Sequence, residues 1–193
     1  LSNFVSCCVY FDTNDKSKNT TMTNCIVRNM RATATATVSA VRISNANSKV
    51  TDCVISNNII TAASKIEFRG AGVFVNGLLY RSRIVDNHIV AGKAVACSAG
   101  SAAGVYQGGG NTRGCLIVGN TTISDGCAVR LTKGSVDNCT IAGNAVPDLS
   151  AAATAGVYGN YNVSVRVVNT VIVGNKATGY NGGGVYVYNT FTM

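Results

Sequence analysis

The chain has no tryptophan, one proline, one histidine and few charges of either sign. Charged residues make up 12% of its 193 residues and hydrophobic ones 47%, which excludes an intrinsically disordered chain, since those are charged and apolar-poor. One histidine and no Cys-x-x-Cys pair argue against a zinc site; no metal is expected. No Gly-x-Ser-x-Gly accompanies that histidine, so nothing supports a nucleophilic triad. Gly108-Gly109-Gly110 runs into Asn-Thr-Arg rather than Gly-Lys-Ser/Thr, so it is not a phosphate loop. No apolar run approaches the ~18 residues of a membrane span, and no membrane insertion is expected. Leu1-Ser2-Asn3-Phe4 lacks the basic and apolar regions of a secretion signal. The net charge of +8 is dispersed, with no Lys/Arg run. It favours polyanions in general and no specific nucleic acid.

What is abundant is glycine, at 21 residues, together with short β-branched runs that repeat. A nine-residue pattern recurs six times, as TMTNCIVRN (21–29), VTDCVISNN (50–58), LYRSRIVDN (79–87), TRGCLIVGN (112–120), VDNCTIAGN (136–144) and VVNTVIVGN (167–175). Its sixth place is Ile26, Ile55, Ile84, Ile117, Ile141 and Ile172. Its last is Asn29, Asn58, Asn87, Asn120, Asn144 and Asn175. A second pattern, such as GVFV (72–75) or AVRL (128–131), falls between these with a constant valine: Val9, Val41, Val73, Val105, Val129, Val157 and Val185. The two markers alternate with a shared mean period near 29 residues.

Each run is short and alternates with period two, so each reads as a strand recurring once per coil. Stacked coils place like strands side by side in parallel sheets ~4.8 Å apart. The reading is all-β: a right-handed parallel β-helix of about six and a half coils, with residues 1–193 forming one domain. Ile and Val columns face the interior, and insertions loop outward. The terminal Asn column is expected to adopt the left-handed conformation at a turn and to bond amide to amide along the axis. Neither end carries an obvious cap, so the domain is expected to be a fragment of, or uncapped relative to, a longer solenoid, with end-to-end self-association as one outcome.

These repeats resemble the right-handed parallel β-helices of the pectate-lyase-like superfamily. The segments Asn138-Cys139-Thr140-Ile141-Ala142-Gly143-Asn144 and Gly182-Gly183-Gly184-Val185-Tyr186-Val187 are similar to repeats of large bacterial surface and secreted proteins. The resemblance covers nearly the whole chain. It implies a secreted or cell-surface setting and spans lyases, glycosidases, tailspikes and adhesin passengers, so it does not choose an activity.

Cys53, Cys115 and Cys139 share the fourth place of the first pattern with Asn24, Ser82 and Thr170. They read as small buried hydrophobes, too far apart in register for disulfides. The residues after the constant valines form an outward column, Tyr10, Arg42, Phe74, Tyr106, Arg130, Tyr158 and Tyr186. Rings and guanidinia in one stripe suit sugar faces and carboxylates, so the leading expectation is a non-catalytic β-helix binding polysaccharide through this column. The same stripe also reads as cross-strand stabilisation. A lyase or hydrolase of acidic polysaccharide is the rival, with Asp52, Arg81, Arg83, Asp86 and His88 as its candidates. Calcium enters only under the lyase version. A purely structural stalk or adhesin segment is the third reading.

Overall fold

The structure is a computed structural model that describes residues 7–11, 19–34, 38–63, 69–91, 101–123, 127–147, 154–159, 165–178, 182–187 and 191–192. Leu1–Phe4 and the tip of the long excursion after Ile84 lie outside these residues.

The architecture is the expected parallel β-helix. The first face stacks seven strands in the order Cys7–Phe11, Ser39–Ile43, Val73–Val75, Ala102–Gln107, Cys127–Leu131, Val157–Gly159 and Val185–Val187. The second face stacks seven more, from Thr21–Thr23 through Lys49–Thr51, Leu78–Tyr80, Asn111–Arg113, Gly134–Asp137 and Val165–Val168 to Phe191–Thr192. The third stacks six, from Ile26–Arg28 through Val54–Ser56, Arg83–Val85, Leu116–Val118 and Thr140–Ala142 to Val171–Val173. Short strips such as Ile59–Ala62 and His88–Ala91 begin the return to the first face. Five strands of the first face pair on both edges, so about five turns are enclosed by neighbours, fewer than the six and a half coils expected. No helix of the described residues is long and apolar enough to cross a membrane.

Val41, Val73, Val105, Val129 and Val157 stack in register and are fully buried, as are Ile55, Ile84, Ile117 and Ile141 opposite them. Burying each such side chain contributes roughly 1.5–3 kcal/mol. The expected Ile column fails in the first coil. There Val27 pairs with Ile55, and Ile26 pairs with Val54 and is 65% exposed. Met22 takes the inward place opposite Val50, which sets the coil one residue later than the pattern suggests. A one-residue shift in a strand turns every side chain to the other face. Met30, fully buried, then occupies the place of the terminal Asn, and Asn29 sits outside it.

Each coil turns two corners with one left-handed residue apiece. The second face leads into the third through Asn24, Asp52, Arg81, Gly114, Asn138 and Asn169, all at positive φ. The third face ends at Asn29, Asn57, Asp86, Gly119, Gly143 and Gly174, again at positive φ. The left-handed column is therefore the residue before the buried asparagine; Asn58, Asn87, Asn120, Asn144 and Asn175 are not in it. Two adjacent roles are therefore distinct. The corner is held by glycine, asparagine or aspartate, which tolerate the left-handed region, with Arg81 the exception. The next place holds an amide in every coil after the first, and in the first Met30 stands there.

That amide makes a ladder. The Oδ1 of Asn120 accepts from both the backbone N–H (3.1 Å) and the Nδ2 (3.0 Å) of Asn87. Asn120 in turn donates both groups to Oδ1 of Asn144, at 2.9 and 3.0 Å. The pattern runs from Asn58 to Asn175, and Nδ2 of each also donates to a carbonyl of the preceding coil, such as Ile84 O at 3.0 Å. Asn58, Asn87, Asn120 and Asn144 are at most 1% exposed, so water cannot substitute. Close stacking of neighbouring coils explains the glycine before several constant valines. A β-carbon on Gly104 would lie 2.7 Å from the Ala128 carbonyl of the next coil, nearer than the 3.2 Å to Asn120 Nδ2.

Cys53, Cys115 and Cys139 are buried in the core as free thiols, as expected, and they also take part in a second ladder. Cys53, Ser82, Cys115, Cys139 and Thr170 each donate to the carbonyl two residues back, from Cys53 Sγ to Thr51 O at 3.0 Å through Thr170 Oγ1 to Val168 O at 2.8 Å. Their Sγ or Oγ atoms also accept the N–H of the previous coil, as Ser82 Oγ does from Cys53 at 3.1 Å. The place takes thiols and hydroxyls alike because it needs a small donor-acceptor at the corner, not only a hydrophobe. Asn24 lies outside this column, which Cys25 enters instead. The four cysteines Cys25, Cys53, Cys115 and Cys139 are free thiols. A hydrogen bond with Cys139, and then burial, push the Cys115 thiol well above its ordinary range.

The ladder predicts that Asn120→Ala destabilises the chain by at least about 3 kcal/mol, because several buried donors and acceptors lose their partner together. Asn29→Gly, at an exposed corner that glycine suits, is expected to change stability by less than about 1 kcal/mol. Urea denaturation of the two variants measures both.

Candidate functional site

Backbone pairing places all seven outward residues in one column, Tyr10 beside Arg42, then Phe74, Tyr106, Arg130, Tyr158 and Tyr186. Strand spacing brings their planes within stacking reach. Phe74 and Tyr106 stack with centroids 5.7 Å apart and planes 22° apart; Tyr158 and Tyr186 lie at 5.5 Å and 30°. Arg42 sits between Tyr10 (5.5 Å) and Phe74 (5.1 Å), and Arg130 between Tyr106 (5.9 Å) and Tyr158 (4.9 Å). The faces that would stack on a ligand are thus turned toward each other.

Exposure along the column also differs from expectation. Phe74, Tyr106 and Arg130 are 5–8% exposed, whereas an open binding stripe requires them at the surface. Ala102 packs against Phe74 and Tyr106, and the guanidinium of Arg69 lies 5.6 Å from the Tyr106 ring. Ala102 opens the strand that carries Tyr106, and Arg69 bridges to it, so the middle of the column is packed against the start of the first face. Tyr10 remains 52% exposed, and Arg42, Tyr158 and Tyr186 are half-buried.

The charged candidates separate onto different parts of the coil. Asp52 and Arg81 occupy the first corner of successive coils, joined at 2.8 Å, with the Arg81 guanidinium 4.8 Å from the Tyr80 ring. Both are exposed enough that the pair contributes little to stability. Arg83 points outward from the third face, and Asp86 occupies the second corner, so a whole strand lies between the two carboxylates. His88 begins the next strip, half-buried, with Nδ1 2.6 Å from Thr121 Oγ1. Burial pushes His88 below its ordinary value of 6.5. Among the described residues, no three His, Cys, Asp or Glu side chains group to hold a metal ion.

A different feature emerges where the first face bends into the second. The connections there contain five residues in one coil (44–48), two in the next (Asn76–Gly77), three in the next (Gly108–Gly110) and two in the next (Thr132–Lys133). The long loop overhangs its shorter neighbours and encloses a groove of about 440 Å³. Gln107, fully buried, accepts from Thr112 Oγ1 at 2.6 Å and donates to the Gly109 carbonyl, which holds the glycine turn from inside. Uneven spacing between the two repeat patterns was the available signal for this groove. It reads as loop tolerance until the coils are stacked.

No protein-family model, curated protein or solved structure matches the chain.

The position of His88 sets an expected pH response. Its proton affinity is lower folded than unfolded, so its contribution to stability is complete above about 6.5 and is lost as pH falls through the folded value. His88→Ile, copying Ile59 of the preceding coil, is expected to flatten the fall in stability between pH 7 and pH 5. Thermal unfolding across that range measures it, and a variant curve parallel to the parent's would refute the assignment.

Proposed function

We propose that this chain is a non-catalytic segment of a secreted or cell-surface β-helix, related to the pectate-lyase-like solenoids of bacterial surface proteins, and that its outward column stiffens the shaft. The observation that carries this reading is the mutual occupation of faces. Rings stack on rings, and Arg42 and Arg130 are each sandwiched between two of them. Buried cation–π contacts reach about 2 kcal/mol or more, and aromatic pairs add about 0.5–1.5 kcal/mol. Each contact spans two coils, so the column resists bending and splaying of the stack. This extends the cross-strand role of aromatic pairs from a single pair to the length of the solenoid.

Polysaccharide binding by the same column is the second reading. Tyr10 at one end is exposed, and Tyr158 and Tyr186 near the other keep part of their edges open. A lyase or hydrolase has less support, because Asp52 is engaged by Arg81 and His88 by Thr121.

Tyr106→Ala discriminates. A stiffening column predicts a loss of about 3–5 kcal/mol in unfolding free energy, as for other buried aromatic truncations, with binding across a glycan array unchanged. An unaltered melting temperature together with lost glycan binding would transfer the column to ligand recognition.

A further inference from the structure

We infer that Cys115 and Cys139 form a two-coordinate site for a soft monovalent metal ion, copper(I), clamped between two neighbouring coils. The site lies at the corner between the second and third faces and uses no residue of the outward column. Its failure would therefore leave the stiffening role standing.

Strand register makes the pair. Arg113 pairs with Asp137 just before the corner, and Leu116 with Thr140 just after it. Cys115 and Cys139 share that offset of 24 residues, so they face each other one strand spacing apart, about 4.8 Å. The Cys115 N–H donates to Cys139 Sγ at 3.4 Å, and the two thiols hydrogen-bond to each other. Side chains held parallel at a coil spacing miss the ~3.8 Å between β-carbons that a disulfide takes. The same spacing suits a bridging ion. A zinc–thiolate bond is about 2.3 Å, and two bonds of that length in line span about 4.6 Å.

The surroundings select the kind of ion. Among the described residues no third His, Cys, Asp or Glu joins the pair, so zinc, which takes four ligands, is not served. Copper(I) is a soft closed-shell ion that two thiolates in line satisfy, and thiolates are the donors that select it. Ser82 and Thr170 flank the pair in the ladder, so the next donors along the column are hydroxyls, which soft ions bind poorly. The carbonyls of Arg113 and Asp137 lie 3.3 Å from the two sulfurs, and those of Leu79 and Thr112 at 3.7 and 3.6 Å. Four negative dipole ends around the sulfurs oppose bare thiolates and favour a cation between them. Backbone N–H groups of Ser82 and Cys115, one to each sulfur, stabilise the deprotonated forms. The hydrogen bond from Cys115 pulls the Cys139 thiol below its ordinary range, so Cys139 sheds its proton first. The ion then takes the place of the proton that the two sulfurs share. In all, two thiol protons leave, two copper–sulfur bonds form, and no group changes oxidation state. Both sulfurs are buried, but the corner residue before Cys115 is Gly114, which brings no side chain over it.

The test is thermal unfolding of the full chain without oxygen, with free copper(I) set by a competing chelator. An ion that binds the native pair raises the melting temperature, whereas one that binds loose thiols favours the unfolded chain and lowers it. The parent is expected to gain about 5–10 °C at a free ion concentration a hundredfold above the dissociation constant. Zinc(II) is expected to give no gain. Cys115→Ser and Cys139→Ser are each expected to lose the gain while folding without metal, because Ser82 already fills the same place in the ladder. Cys25→Ser removes an exposed thiol in the first coil and is expected to keep it. No gain in the parent, an equal gain with zinc(II), a gain kept by either ladder variant or one lost in Cys25→Ser would each overturn the assignment. Should the ladder variants not fold, X-ray absorption of the parent with one copper(I) per chain decides. Two sulfur ligands in line support the site, and three or more refute it.

Discussion

Asn58, Asn87, Asn120, Asn144 and Asn175 join five coils through their amides, the first four fully buried, and the rest of the stack is arranged around that line. Each amide caps the coil before it and is capped by the coil after it, so a coil out of register by one residue would strand several buried groups at once. The glycines that open several first-face strands leave room first for the carbonyl of the neighbouring coil and then for the ladder. The left-handed corner just before each amide delivers it inward. The thiol and hydroxyl ladder does the same work at the other corner with weaker donors, which is why cysteine, serine and threonine exchange there.

The same stacking that satisfies the interior governs the exterior. Parallel strands in register place like side chains at one spacing, so an outward aromatic meets another aromatic or an arginine before it meets a ligand. A stripe that looks like a sugar platform in sequence becomes a self-contacting pile in space. Its middle is then packed against Arg69 and against Ala102, at the start of the strand that carries Tyr106. Open concave surface arises instead where periodicity breaks. Connections of five, two, three and two residues leave a step, and a groove bordered by asparagines, glycines and one lysine lies there.

Charge follows a similar division. Asp52 with Arg81, and Arg113 with Asp137 at 3.4 Å, neutralise each other across neighbouring coils. Arg81 holds a left-handed corner at φ 44, a conformation that disfavours long side chains, and its contacts with Asp52 and Tyr80 accompany that strain. Lysines and arginines outside such pairs are the ones that leave a net positive field at the surface.

The periodic residues by themselves determined that this chain is a parallel β-helix. A constant Ile and a constant Val once per coil stack into two buried columns, and the Asn that follows the Ile is satisfied by its own copies and by carbonyls of the preceding coil. The pattern also placed the outward column in correct chain order. Only the tertiary structure decided three other matters. It turned Ile26 outward, because Met22 and Met30 compete for the interior of the first coil and a strand has just two faces. It assigned the left-handed conformation to Asn57 and Asp86 rather than to their neighbours, because a corner and a cap are adjacent in sequence and distinguishable only by where the side chain lands. It also buried Phe74, Tyr106 and Arg130 and opened the groove beside Lys133, because what covers or exposes a surface depends on loops whose lengths follow no repeat.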